Sequence, residues 1–122
     1  MKRCLIIDDS RIIRRVAAKI MFELGFEAEE AENGKAALEA VRVHMPEVLI
    51  VDWDMPVMDG LAFTEEFRKL PGGARPLVIF CTADNEVDYI ERALAAGANE
   101  YIMKPFDSEI VRSKLTILGA LD

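Results

Sequence analysis

Val48-Leu49-Ile50-Val51-Asp52-Trp53-Asp54 decides the fold: four apolar residues in an unbroken run, then an acid, then a second acid two residues on. So short a run without polar alternation reads as a strand buried on both faces, as in a parallel sheet covered by helices. Outward from it, three more runs share that character: Cys4–Ile7, Leu77–Cys81 and Tyr101–Met103. Polar chemistry follows each one, with Asp8-Asp9 after the first, Thr82 after the Leu77 run and Lys104 after the last.

Segments of helical spacing lie between the runs. Ile13, Val16, Ala17, Ile20 and Leu24 form one stripe, closed by Gly25. Leu38, Val41 and Met45 form a second, opened by Asn33 and stopped by Pro46, and Phe63, Phe67 and Leu70 a third, stopped by Pro71. Val87, Ile90, Ala93 and Leu94 form a fourth, with Asp84 as its N-cap and Gly97 past its end. Ile110, Val111, Leu115 and Leu118 form the last, capped by Ser108 or Asp107. The segment Phe26–Ala31 is crowded by Glu27, Glu29, Glu30 and Glu32 and suits only an edge strand, where charge discourages aggregation. The order is then strand–helix five times over, which requires a parallel sheet with helices on both faces. A charged second strand at the edge fits strand order 2-1-3-4-5, an α/β flavodoxin-like doubly wound fold.

Composition narrows the function. At 122 residues the chain suits one domain spanning 1–122, with no linker, repeat or output domain expected. Fifteen basic against 22 acidic residues give a net charge of −7, which argues against nucleic-acid binding by charge repulsion. No apolar run approaches the roughly 18–20 residues of a membrane span. Met1-Lys2-Arg3 with only Cys4-Leu5-Ile6-Ile7 behind it is too short for a secretory signal, so a cytoplasmic protein is expected. Cys4 and Cys81, each alone in an apolar run, read as core residues of a reduced compartment. His44 is the one histidine and falls near a helix end, where a cation suits the helix dipole; His-based relays and His-rich metal sites are excluded.

Ligands of such a fold bind outside the carboxyl ends of the strands. Asp8, Asp9, Asp52, Thr82 and Lys104 all fall there. Three carboxylates within about 5 Å repel by roughly 3 kcal/mol per pair at an effective dielectric near 20, a cost that a cation removes. Hard oxygen ligands with no His or Cys nearby select Mg²⁺ or a similar ion. A carboxylate can attack a phosphoryl group, whose three oxygens want a metal, a cation and a hydroxyl. Mg²⁺, Lys104 and Thr82 supply that set and leave Asp52 as the candidate nucleophile.

At this point the chain resembles, from end to end, a response-regulator receiver domain, in style nearest the single-domain chemotaxis receivers. The resemblance is carried by Leu5-Ile6-Ile7-Asp8-Asp9-Ser10, by Val51-Asp52-Trp53-Asp54-Met55-Pro56-Val57-Met58-Asp59-Gly60, and by Thr82-Ala83, Gly97-Ala98 and Lys104-Pro105-Phe106. It implies two-component signalling, with phosphorylation of Asp52 by a sensor histidine kinase or a histidine phosphotransfer protein. It implies a Mg²⁺ site made by Asp9 directly, Asp8 through water, Asp52, and the backbone carbonyl of Asp54. Thr82 resembles the hydroxyl that follows the phosphoryl group, with the small Ala83 leaving room for it. Lys104 resembles the cation on the phosphoryl oxygen, before a Lys104–Pro105 bond that is usually cis in the family. Tyr101 resembles the aromatic switch, with output to a protein target through the helix 4–strand 5–helix 5 face. Asp54 and Asp84 occupy variable positions flanking the phosphorus, which tune lifetime. Such a domain is not an enzyme beyond its own phosphorylation and dephosphorylation, and is expected as a monomer.

Three other classes share parts of this pattern. Asp52-Trp53-Asp54 imitates the Asp-x-Asp signature of haloacid-dehalogenase-like phosphatases, but there the signature lies on the first strand and the acidic pair comes last. A flavin binder of this fold would need a Gly-rich turn where Asp8-Asp9-Ser10-Arg11 stands. A receiver-like binding scaffold that needs no phosphorylation would have lost its nucleophile or lysine, and neither is lost.

Overall fold

The four apolar runs are strands, and the acidic Phe26–Ala31 segment is the fifth. The computed structural model describes residues 2–83 and 87–121. Strands β1 (Lys2–Ile7), β2 (Phe26–Ala31), β3 (Val48–Asp52), β4 (Leu77–Thr82) and β5 (Glu100–Met103) alternate with five helices. These are α1 (Arg11–Glu23), α2 (Gly34–Val43), α3 (Gly60–Lys69), α4 (Val87–Ala96) and α5 (Ser108–Ile117). All strand pairs are parallel, in the order β2-β1-β3-β4-β5, as expected.

Why the central strands read as unbroken apolar runs is visible in their two faces. Cys4, Ile6, Val48, Ile50, Ile79 and Cys81 pack with Ala17, Ile20 and Met21 of α1 and Val111 and Leu115 of α5. Their neighbours Leu5, Ile7, Leu49, Val51, Val78 and Phe80 pack on the other side, against Leu38 and Val41 of α2, Phe63 and Phe67 of α3 and Ala93 of α4. Period-two alternation thus fills two half-cores from one sheet. Each large side chain taken fully out of water contributes about 1.5–3 kcal/mol. At the edge, Glu29 pairs with Arg3, and Glu30 lies 3.1 Å from Arg14, so β2 carries charge without exposing it unpaired.

Helix starts follow capping chemistry. Ser10, Asn33, Asp59 and Asp107 each accept a backbone N–H three residues on, at 2.8–3.2 Å. Asp107, rather than Ser108, is therefore the cap of α5. Asp84, expected to cap α4, lies outside the described residues. Gly25 takes φ +95° just past α1, the left-handed turn that closes a helix at low cost.

Some stripe positions differ from expectation. Val16, Leu94 and Ile110 are 47 %, 47 % and 40 % exposed, while Met21 is fully buried. They sit one step off the centre of each buried seam, where a helix 3.6 residues per turn rolls its side chains into solvent. Met45 lies past the end of α2, and Leu70 is the C-cap of α3.

Arg68, near the end of α3, ties three segments together. Its guanidinium donates to the carbonyls of Gly73, Pro76 and Gly97 and to Asn99 Oδ1 at 2.7–3.0 Å, and Asn99 Oδ1 also accepts from Val78 N–H. No helix among the described residues is long and apolar enough to cross a membrane.

Candidate functional site

Four strands deliver the site at one edge of the sheet. Asp52 and Thr82 are the last residues of β3 and β4, and Asp8 and Lys104 directly follow β1 and β5. Backbone bonds hold the loops there: Asp8 N–H donates to the Ala31 carbonyl at 3.1 Å and Lys104 N–H to the Thr82 carbonyl at 2.8 Å. Asp8 is further fixed by accepting Ser10 N–H at 2.9 Å, while Arg14 donates to its carbonyl at 2.7 Å. The loop after β3 closes on itself through Gly60 N–H and the Trp53 carbonyl at 2.9 Å. Gly60 has no room for a side chain, since a Cβ there would lie 2.2 Å from the Asp52 carbonyl oxygen.

Asp8, Asp52 and Thr82 are buried, and Asp9 is exposed. Oxygens from Asp8, Asp9 and Asp52 lie within 4.8 Å of one another, the one such acidic group among the described residues. Lys104 Nζ stands between two of them, 2.9 Å from Asp52 Oδ1 and 3.0 Å from Asp8 Oδ2.

Burial raises the Asp52 carboxyl above its ordinary pKa, and the charges of Asp8 and Asp9 add to the rise; the Lys104 hydrogen bond opposes it without cancelling it. For Lys104, burial alone would lower the pKa, but hydrogen bonds and charge from Asp52 and Asp8 prevail and raise it. Both shifts hold together because the lysine meets two carboxylates, whereas Asp52 meets one lysine and two like charges.

Beside the carboxylates opens a cleft of about 520 Å³, lined by Asp52, Asp54, Thr82, Ala83 and Lys104 and by the rings of Trp53 and Tyr89. Asp54 and Ala83 are exposed at its rim. Pro105 follows Lys104 through a cis peptide bond, and is exposed. Tyr101 is not part of the cleft lining. It is half-buried on β5 against the α2–α3–α4 half-core, with Lys114 Nζ 5.0 Å from its ring centre.

Sequence reading missed Tyr89. The α4 stripe places its core face on Ile90 and Ala93, which leaves Tyr89 as an ordinary off-stripe aromatic. Its cleft position depends on Trp53, whose indole meets Tyr89 edge-on at 5.0 Å and Phe80 edge-on at 5.4 Å. Arg92 lies over the same indole at 5.4 Å.

A parallel sheet with a lysine-bridged carboxylate group at its carboxyl edge defines a class, and residues 4–116 match the response regulator receiver domain. The chain belongs to that family, as a chemotaxis-type receiver of two-component signalling. It is 34 % identical over 115 residues to the chemotaxis protein CheY of Halobacterium salinarum, covering 94 % of each chain. To Bacillus subtilis CheY it is 36 % identical over 110 residues, covering 89 % of this chain and 90 % of that one. The solved structure of Vibrio cholerae CheY4 superposes with a TM-score of 0.91 at 28 % identity, covering 97 % and 98 % of the two chains. Membership sets aside the phosphatase and flavin readings, and fits a signalling domain rather than an enzyme.

Proposed function

We propose that Asp52 accepts a phosphoryl group from the phosphohistidine of a sensor kinase or a histidine phosphotransfer protein. The observation that carries this reading is the buried Asp52 carboxylate, held 2.9 Å from Lys104 and grouped with Asp8 and Asp9 within 4.8 Å. A carboxylate oxygen attacks phosphorus as the phosphorus–nitrogen bond breaks, and the imidazole leaves. Lys104 neutralises one phosphoryl oxygen, and the Thr82 hydroxyl at the cleft wall donates to another.

The donor set fits Mg²⁺. The oxygens of Asp8, Asp9 and Asp52 lie within 4.8 Å of one another and are hard ligands of the kind this ion takes. Asp9 and Asp52 would hold the ion directly, Asp8 through water, and Asp54 by its backbone carbonyl. Once bound, Mg²⁺ supplies positive charge to a phosphoryl oxygen. Asp54 at the rim, and Asp84, tune access and lifetime.

Output follows as Thr82 and Tyr101 shift the α4–β5–α5 face toward a protein target, a bias of about 1–3 kcal/mol between two packings. The kinase reading carries with it a cytoplasmic location and a monomeric state. With Mg²⁺ and a small acyl phosphate, the protein should gain one base-labile phosphoryl mass. Asp52→Asn should abolish it; full labelling of that variant at the native rate refutes the assignment, and a native chain that takes no label favours a scaffold role.

A further inference from the structure

We propose that Tyr89 and Trp53 form a platform for a flat aromatic leaving group, so that the cleft selects imidazole-type phosphoramidates over acyl phosphates. The inference rests on the phosphoacceptor reading of Asp52 and deepens it.

A cleft of about 520 Å³ is in the range of small-molecule sites and far larger than a lone phosphoryl group requires. Its walls divide by chemistry. Asp52, Thr82 and Lys104 suit the phosphoryl end, while the rings of Trp53 and Tyr89 suit something apolar and flat. An in-line displacement sends the leaving group away from Asp52.

The aromatic wall is built, not incidental. Tyr89 and Arg92 stand three residues apart on α4, hence on one helix face, and both engage the same indole. Phe80, fully buried on β4, meets that indole from the sheet side at 5.4 Å. Trp53 is thereby held between sheet and helix, and Tyr89 lines the same cleft beside it. An aromatic ring met by offset or edge-on rings gains stability beyond its area, and imidazole offers such a ring where an acetyl group does not.

With N-phosphoimidazole as donor, an Asp52 oxygen bonds to phosphorus while both electrons of the phosphorus–nitrogen bond pass to the ring nitrogen. The donor's other ring nitrogen already carries a proton, so neutral imidazole departs.

The test is the ratio of Asp52 labelling rates with N-phosphoimidazole and with acetyl phosphate, in Mg²⁺, for the native chain and for Tyr89→Ala, Tyr89→Leu and Tyr89→Phe. A fold defect slows both donors together and leaves the ratio alone. Tyr89→Ala and Tyr89→Leu should lower the ratio about three- to tenfold, and Tyr89→Phe should hold it within about twofold. A ratio unchanged, or raised, in both ring-less variants overturns the platform alone. No label on the native chain from either donor overturns the phosphoacceptor reading with it.

Discussion

Removing the exposed member of the carboxylate group should make the metal-free protein more stable. Asp9 lies within 4.8 Å of Asp8 and Asp52. Because it is exposed, a dielectric of about 40–80 applies, and each repulsion is worth about 0.9–1.7 kcal/mol. Two such terms, partly offset by the Lys104 ammonium, leave a net strain of about 1–2 kcal/mol. Asp9→Asn should therefore raise the melting temperature by about 3–8 °C in metal-free buffer for a chain of this length. The gain should shrink as salt shortens the screening length from about 30 Å at 0.01 M to about 10 Å at 0.1 M. Mg²⁺, bound as proposed, should reverse the ranking. At a hundredfold excess over its dissociation constant it should stabilise the native chain by about 2.7 kcal/mol, and the variant by much less. Differential scanning calorimetry across a Mg²⁺ series reads both effects, with the two melting curves crossing. The reasoning fails if Asp9→Asn melts lower than the native chain without metal at low salt, or if Mg²⁺ moves both equally.

Other predictions follow from packing and burial. Gly60→Ala places a Cβ 2.2 Å from the Asp52 carbonyl oxygen and 2.9 Å from Val51 Cγ1, so the urea midpoint should fall by the equivalent of about 3 kcal/mol. Arg68→Ala strips the donors from three carbonyls and Asn99, and should cost about 2–4 kcal/mol in denaturant unfolding. Arg68→Lys should recover little, because an ammonium cannot span a fork of acceptors. Burial pushes the thiols of Cys4 and Cys81 up to about 12, so both stay protonated at pH 8. Mass spectrometry should find neither alkylated by iodoacetamide in the native state and both alkylated in strong denaturant.

The strands and the chemistry were legible for one shared reason. A strand buried on both faces must be apolar throughout, so a polar residue at its end stands out, and in this fold those ends form the site. Asp8, Asp52, Thr82 and Lys104 could each be located that way. The edge strand was legible only through its glutamates. Side-chain burial along helices was less so: Met21 and Val16 both satisfy a loose helical stripe, and only the actual seam separates them. Arg68 carried no signal, because most of its acceptors are backbone carbonyls, which every residue type owns. Tyr89 was hidden for a related reason, since its meaning depends on an indole from a distant loop.

Lys104 and Asp52 meet across 52 residues of chain, and Asp8 joins them from just after the first strand. A chain emerging from the ribosome holds Asp52 long before it holds Lys104, because β5 follows the other four strands in the chain. Until that strand docks against β4, Asp52 has like-charged neighbours and no lysine. If Asp52 accepts the phosphoryl group as proposed, an unfinished or prematurely released chain lacks the cation that the transfer uses. Peripheral fraying is different in kind: β2 pairs only with β1, so a loosened edge leaves the β3, β4 and β5 ends where they are. The lysine-bridged carboxylate group thus exists only in molecules whose central strands are complete.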